Sequence, residues 1–426
     1  MRPFLKRYDL ERSGRMSLNG LKYIPVESPA ELEVLVTRLR WVHSVFNSNV
    51  ETLIEQHRSY DKTLCHAHLH PSAEVFHIPL GEAKKLPERF YVPSKDGERL
   101  SVDGGDESME GFLARVNTLG LAVIQQGELV FERYALGNDE RTRWMTNSAS
   151  KFVIGMLIAI AKEEGKIESF DDPVAKYWPE LQGTGWEGVT IDHCLRMTSG
   201  IQFDEYSLDL WQDGDYIRLM YGVAFGTIEE HVISQGSKAT PGVRAEYSSI
   251  NTEALGGVLV RVTGMSITDY LQAKIWGPAG MEHPAYWVTD PTGRAMALAG
   301  LCASLRDYAR LGLIMVNGGS LNGRQIVPSW YAELLMNIEP QHFKLEASQS
   351  DAVLNWYQVF VPSDPAIDEG DYMASGSYGQ NIYVNTKTQT VIATQSLYEN
   401  ILVEEGDMFR HLMAFRAISK FLSKGE

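Results

Sequence analysis

The sequence is poor in the features that mark several large classes of protein. Its three cysteines, in 426 residues, are an odd and sparse set that argues against a disulfide framework and favours a reducing compartment. No apolar run approaches the roughly 18 residues of a membrane span, and the charged N-terminus lacks the apolar core of a signal peptide. Acidic residues outnumber basic ones, 55 to 39, for a net charge of -16. Because phosphate binding needs a basic surface, nucleic acid is disfavoured as a partner. We therefore expect a cytoplasmic protein without membrane or nucleic-acid partners.

What remains is a globular chain, 44% hydrophobic and 22% charged, which is enough to form a packed core. Residues 30–57 carry apolar side chains at helical spacing and predict an amphipathic helix, docked on the protein or used as a homodimer contact. The polar stretch 93–110 predicts a boundary. We divide the chain there into an N-terminal extension without assigned function, 1–107, and a domain over 108–426.

Regular patterns follow this boundary. Segments 119–125 and 128–134 flank Gln126-Gly127 and predict a β-hairpin, and the apolar run 152–161 predicts a buried helix. Helices then alternate with Gly/Pro-rich loops over about 165–345. The chain closes with predicted strands and a final helix, at 353–361, 380–385, 390–394 and 407–422. Strands on both sides of a helical middle predict an α/β (α+β) fold: one antiparallel sheet flanked by helices, plus an all-helical lobe.

The first candidate functional motif is Ser148 and Lys151, placed directly before the buried helix. Residues three apart on a helix share a face, so the lysine amine can reach the serine hydroxyl. Serine is a weak nucleophile at neutral pH and needs a base. Lysine can be that base when burial or positive charge depresses its pKa, or when a second group helps to move the proton. The spacing alone is weak evidence, since Ser59 and Lys62 repeat it with no apolar helix behind them.

Two later segments add chemistry to this motif. Tyr247 and Ser249 precede a predicted helix, and in an extended segment their hydroxyls would face the same way. Gly376 lies within a strand-like pattern, where a glycine marks close approach of a ligand or of another backbone. Such a strand edge can offer a backbone N–H to an oxyanion.

These three segments, in this order, resemble the serine β-lactamase and penicillin-binding-protein superfamily, whose signatures are S-x-x-K, Y-x-N or S-x-N, and K-T-G. The resemblance covers roughly residues 108–424 and is closest to 6-aminohexanoate-dimer hydrolases and carboxylesterases with a β-lactamase fold. Further segments that support it are 164–167, 171–174, 177–181, 197–200, 278–282 and 376–380.

The resemblance implies a role for each motif residue. Ser148 would attack a carbonyl and become acylated, Lys151 would accept its proton, and Tyr247 would relay a proton to the leaving group. The backbone N–H groups of Ser148 and Ser377 would form the oxyanion hole. No metal or other cofactor is implied. The residues that would border the substrate are Ser249, Ser375, Gly376 and Tyr206.

Two departures from the superfamily pattern narrow the expected substrate. Ser249 stands where β-lactamases usually have Asn, and Ala374 replaces the Lys of the third signature, which removes the cation that would hold a substrate carboxylate. Both changes argue against efficient binding of penicillins. We therefore predict a metal-free serine hydrolase that cleaves small amides or esters through an acyl-enzyme. The alternatives are a β-lactamase or D-amino-acid peptidase, and a non-catalytic scaffold of the same fold.

Three other patterns are weaker. In an extended conformation His66, His68 and His70 would share one face, as in a metal-binding strand; we expect a surface strand or loop instead. His193 and Cys194 are adjacent in a predicted helix, where side chains point about 100° apart, so they cannot form a Cys–His pair. The motif G-x-S-x-G is absent, which argues against an α/β-hydrolase.

Overall fold

A computed structural model of the chain describes residues 15–16, 24–25, 28–47, 49–96, 100–205, 214–339, 341–342, 346–347, 353–363, 369–398 and 404–424. Within these ranges the α-helices are Pro29–Asn47, Val50–Arg58, Met109–Arg115, Ser150–Glu163, Val174–Tyr177, Ile191–Leu195, Asp215–Phe225, Ile228–Ile233, Ser249–Thr263, Ile267–Leu271, Leu305–Val316, Ser329–Met336 and Glu404–Ser423.

The main sheet has seven strands, and every neighbouring pair is antiparallel. Five strands come from the C-terminal part of the chain and two from the hairpin near residue 126, as we predicted for a sheet assembled from distant segments. In spatial order they are Val353–Trp356, Val359–Pro362, Asp371–Gly376, Gln380–Asn385, Thr390–Gln395, Gly120–Gln125 and Glu128–Tyr134.

Several hairpins of this sheet turn through residues with positive φ. Gln126 and Gly127 have φ of 51° and 84°, the signs that a two-residue type I′ turn requires. Tyr357 and Gln358 have φ of 48° and 71° and split the stretch 353–361, which we predicted as one strand, into two. Neither residue type is typical of such a turn, so the sequence did not predict the change of chain direction there.

Side chains of the central strands alternate between two hydrophobic clusters, one on each face. Ile382 and Val384 belong to the cluster that includes helices Ser150–Glu163 and Leu305–Val316. Tyr383 points into the other cluster, with side chains of Met109–Arg115 and Glu404–Ser423. The final helix, predicted at 407–422, therefore covers the face of the sheet opposite the buried helix.

The middle of the chain is largely helical but also contributes strands. Ala285–Val288 and Leu301–Ala303 join Trp144–Met145 in a second, four-stranded sheet. The edge strand of this sheet, His66–Leu69, comes from the N-terminal extension and pairs with Ala285–Val288. The extension is thus hydrogen-bonded to the same sheet that leads into Ser148.

The amphipathic segment predicted at 30–57 is helical but consists of two helices. The second, Val50–Arg58, is capped by Asn49, whose side chain accepts a hydrogen bond from the N–H of Thr52 at 2.9 Å. Arg38 on the first helix donates to the carbonyl of Ala224 at 3.2 Å, so this helix docks on Asp215–Phe225. Among the described residues, no helix is long and apolar enough to cross a membrane.

Helix Leu305–Val316 lies close to the main sheet at a glycine. A Cβ atom on Gly312 would stand 2.5 Å from Val391 Cγ1 and 3.0 Å from Ile382 Cγ2. Both neighbours are buried strand residues, so the helix would have to move away from the sheet to admit a methyl group.

We expect Gly312→Ala to lower the free energy of unfolding by about 1–3 kcal/mol because of this overpacking. The measurement is chemical denaturation of both proteins. Gly111→Ala is the matched control: it also lies in a helix, but its Cβ would meet its nearest neighbour at an ordinary 3.4 Å, so alanine should be neutral or mildly stabilising. Equal effects of the two substitutions would contradict the close helix–sheet contact.

Candidate active site

Ser148 lies in a single 3-10 turn, Asn147–Ala149, between strand Trp144–Met145 and helix Ser150–Glu163. Asn147 has a φ of 48° and bends the chain as it leaves the strand. The position agrees with the expected junction between a β segment and a buried helix.

Lys151 is buried, with 2% of its surface exposed, and its amine bridges three groups. The Nζ atom lies 2.8 Å from Ser148 Oγ, 2.7 Å from Tyr247 OH and 3.0 Å from the carbonyl oxygen of Leu298. A neutral amine has two N–H donors and one lone pair. As an ammonium, Nζ donates to all three oxygens; after loss of one proton it can still donate to Leu298 and Tyr247 while its lone pair accepts the proton of Ser148. The structure thus brings together the three residues that the motifs predicted.

Tyr247 is held from the sheet side by Phe360, with ring centroids 6.0 Å apart and planes nearly parallel. The segment after it differs from the predicted one. A helix begins at Ser249, with Ser248 at its N-cap, so Tyr247 and Ser249 do not lie in one extended strand. Ser249 is fully buried, and its hydroxyl is occupied by a carboxylate instead of facing outward with the tyrosine.

That carboxylate belongs to Glu205, which the sequence analysis missed. Its two oxygens accept hydrogen bonds from the hydroxyl and the backbone N–H of Ser249, at 2.6 and 2.7 Å. Burial raises the pKa of Glu205, and the positive charge of Lys151 opposes that rise. Glu205 is adjacent to the predicted contact Tyr206, which lies outside the described residues. Only a contact 44 residues along the chain reveals the role of Glu205.

A second carboxylate, that of Glu253, is linked to Lys151 through the backbone of Leu298. Glu253 accepts a hydrogen bond from the backbone N–H of Leu298 at 2.9 Å, and the carbonyl of Leu298 is the one that faces Lys151. Burial raises the pKa of Glu253, with Arg294 acting against it. The backbone of Leu298 is therefore held at its N–H by a carboxylate and at its C=O by an amine.

The third predicted element approaches the serine turn closely. Gly376 ends strand Asp371–Gly376, and a Cβ atom there would stand 2.1 Å from the carbonyl of Thr146 and 2.9 Å from the nitrogen of Ser148. The close backbone approach that the glycine predicted is therefore present. Ser375 is largely buried within the strand. Ser377 follows, and its carbonyl accepts a hydrogen bond from the Asn147 side chain at 2.9 Å.

The other candidate patterns have structural explanations. His66 and His68 lie in the edge strand with ring centroids 4.8 Å apart, whereas His70 lies beyond the strand end. In the part of the chain that the structure describes, no group of three or more His, Cys, Asp or Glu side chains could hold a metal ion. His193 belongs to the N-terminal cap of its helix, and burial raises the pKa of the Cys194 thiol.

Glu205→Gln tests the effect of the half-buried Glu205 carboxylate on stability. Because burial raises the pKa of Glu205 above its ordinary 4.5, its contribution to stability is fully present below that pH. It is lost as pH rises through the raised value. Glutamine does not titrate, so the Tm of the variant should gain on that of the wild type between pH 4.5 and neutral pH. Glu128→Gln, at an exposed hairpin position, should give a Tm difference without this trend. A pH-independent difference for Glu205→Gln would contradict the burial effect.

The chain is similar in sequence and fold to several known proteins. A 6-aminohexanoate-dimer hydrolase of Paenarthrobacter ureafaciens is 24% identical over 301 residues, which are 68% of this chain and 74% of that protein. A solved structure from Bacillus anthracis, proposed to be a 6-aminohexanoate-dimer hydrolase, superimposes with a TM-score of 0.75 at 24% identity. It covers 87% of this chain and 95% of its own.

A family VIII carboxylesterase shares the fold, with a TM-score of 0.54 at 17% identity. The match covers 72% of this chain and 96% of that one. Residues 106–402 match the Beta-lactamase family, and the match includes Ser148, Lys151, Tyr247 and Gly376. With well over half of its length matched, the chain belongs to the Beta-lactamase family.

Proposed function

We propose that this chain is a metal-free serine hydrolase that cleaves small amides or esters through an acyl-enzyme on Ser148. One observation carries the proposal: a buried amine lies within hydrogen-bond distance of both a serine hydroxyl and a tyrosine hydroxyl, at 2.8 and 2.7 Å. A nucleophile, its base and a proton relay need this arrangement.

In the acylation step, Ser148 Oγ forms a bond to the substrate carbonyl carbon while its proton passes to the neutral amine of Lys151. The carbonyl oxygen becomes an oxyanion. Tyr247 then gives its proton to the leaving nitrogen or oxygen and takes one back from the Lys151 ammonium along the 2.7 Å contact. The bond to the leaving group breaks, and the amine or alcohol departs with that proton.

Deacylation runs through the same groups in the reverse sense. Water attacks the acyl carbon and loses a proton to the base formed by Lys151 and Tyr247, and the second tetrahedral intermediate expels Ser148 Oγ, which regains a proton. The carboxylic acid is released and the enzyme returns to its starting state. No step of this cycle needs a group that the chain does not supply.

The oxyanion hole in this proposal consists of the backbone N–H groups of Ser148 and Ser377. The close approach of Gly376 to the serine turn supports it, because that approach puts the residue after Gly376 next to Ser148. A side chain larger than hydrogen at position 376 would separate the two donors. Removal of one such donor typically costs about 3–4 kcal/mol of transition-state stabilisation.

The substrate side of the proposal rests on what the third element lacks. Ala374 supplies no cation for a carboxylate next to the scissile bond, and Ser249 is occupied by Glu205. Both features favour a small neutral acyl group over a penicillin. The names of the two relatives, a 6-aminohexanoate-dimer hydrolase and a carboxylesterase, favour an amide or an ester in the same way. A cytoplasmic location and self-association remain part of the proposal.

Ser148→Ala should lower kcat by about 10⁴-fold or more, since loss of a nucleophile removes the covalent route. It should also abolish labelling by a fluorophosphonate, which phosphonylates the serine with loss of fluoride. Ser59→Ala, in the chance copy of the motif, should keep both activity and labelling, because its hydroxyl only donates to the carbonyl of Glu55. Labelling that survives Ser148→Ala would refute the assignment of the nucleophile.

A substrate panel separates the proposal from its alternatives. We expect turnover of short-chain p-nitrophenyl esters or linear amide oligomers and little hydrolysis of nitrocefin or D-alanyl peptides. Rapid nitrocefin or D-alanyl peptide hydrolysis would favour a β-lactamase or peptidase instead. Absence of turnover together with absence of fluorophosphonate labelling would favour a non-catalytic scaffold.

A further inference from the structure

Strand Asp371–Gly376 ends in a turn in which one non-glycine residue has an unfavourable backbone conformation. The N–H of Gly379 bonds to the carbonyl of Gly376 at 3.1 Å, which makes Ser377 and Tyr378 the central residues of a four-residue turn. Tyr378 has a φ of 67°. A positive φ at this position is the mark of a type II turn, which favours Gly or Asn. A tyrosine there needs compensation from its surroundings.

That compensation comes from the N-terminal extension. Tyr378 is 4% exposed, and its ring meets the ring of His57 edge-on, with centroids 5.9 Å apart and planes at 89°. His57 is itself 1% exposed and lies on helix Val50–Arg58. Tyr60 packs against the same imidazole, with centroids 5.3 Å apart. The extension therefore forms a wall of the pocket that holds the Tyr378 ring.

A second path links His57 to the same turn. Its ring stacks on Trp144, with centroids 5.0 Å apart and planes at 25°. The indole N–H of Trp144 donates to Gln380 Oε1 at 2.9 Å, and Gln380 Nε2 donates to the carbonyl of Ser377 at 3.3 Å. Ser377 thus depends on His57 through Trp144 and Gln380 as well as through its neighbour Tyr378.

We propose that His57 is a positioning residue for the oxyanion hole: its ring, carried by the N-terminal extension, fixes the Ser377–Tyr378 turn and thereby the Ser377 N–H beside Ser148. This inference rests on the proposed function of that hole. It gives helix Val50–Arg58 a part in the site although this helix lies outside the region that matches the family.

His57 acts here by packing and not by proton transfer. Burial lowers its pKa to about 4, so the ring is neutral at ordinary assay pH. Its Nδ1 lies 2.8 Å from the carbonyl of Leu53 in the preceding turn and carries the proton. Within the described residues, Nε2 has no hydrogen-bond partner. A ring of similar shape should therefore replace the imidazole.

The first experiment compares His57→Ala with His57→Phe in the full-length protein. We expect His57→Ala to lower kcat for an ester by about tenfold with little change in KM, a part of the 10²–10³ that follows complete loss of one oxyanion donor. The rate of phosphonylation of Ser148 should fall in parallel. His57→Phe should stay within about threefold of the wild type, because the aromatic contacts remain.

Leu35→Ala is the control for stability. Leu35 is buried in the other helix of the extension, away from the turn, so its loss should lower Tm without lowering kcat. A decrease in kcat for Leu35→Ala equal to that of His57→Ala, at matched Tm, would overturn the inference.

The second experiment changes the turn itself, by comparing Tyr378→Gly with Tyr378→Ala. Glycine adopts positive φ freely, so Tyr378→Gly should keep more activity than Tyr378→Ala, which loses the ring and keeps the unfavourable backbone. In the Tyr378→Gly background, His57→Ala should cost much less than its tenfold effect in the wild type. Equal activities of the two Tyr378 variants, or an undiminished effect of His57→Ala, would overturn the inference.

Failure of the inference is distinguishable from failure of the proposed function. If the wild type is not phosphonylated on Ser148, the function fails. If the wild type is phosphonylated and His57→Ala reacts at the same rate, only the positioning role fails. Should His57→Ala not fold, the comparison of Tyr378→Gly with Tyr378→Ala still decides the question.

Discussion

Burial of one amine governs the architecture around the site. Lys151 lies at the start of a helix whose following residues form the hydrophobic core, and its side chain is almost entirely buried. A buried polar group must find hydrogen-bond partners within the protein. Two hydroxyls and the Leu298 carbonyl supply them. The segments that carry Tyr247 and Leu298 are thereby required to converge on the helix start.

The buried carboxylates fit the same requirement. Glu205 and Glu253 approach Lys151 from two directions, one through Ser249 and the other through the Leu298 peptide. Burial raises the pKa of both carboxyl groups, and the positive charge of Lys151 opposes that rise. The serine at position 249 now has a physical explanation: a short hydroxyl leaves room for Glu205, whereas the amide that β-lactamases usually have there would occupy that space. The departure from the family pattern and the missed acidic residue are two parts of one arrangement.

The sequence predicted what depends on local periodicity and on short motifs. The hairpin at Gln126-Gly127, the buried helix and the Ser148–Lys151 motif each span about 15 residues or fewer. It did not predict the reversal at Tyr357–Gln358, because neither residue favours positive φ. The partner of Ser249 was equally hidden, since a contact between residues 44 apart leaves no local trace. Strands Ala285–Val288 and Leu301–Ala303, inside the largely helical middle region, were not predicted because each is short and fully buried, without alternation.

The order of strands in the main sheet has a consequence for how the protein is made. Gly120–Gln125 pairs directly with Thr390–Gln395. The two parts of the sheet are therefore joined by strands that lie far apart in the sequence. Contacts of such long sequence separation form slowly and late. During synthesis, a nascent chain can complete the Ser148 helix long before the strand carrying Gly376 leaves the ribosome. Ser148 and Lys151 then lie together at the start of one helix before the Gly376 strand is beside them, and under the proposed function the oxyanion hole is completed only when the last strands have been added.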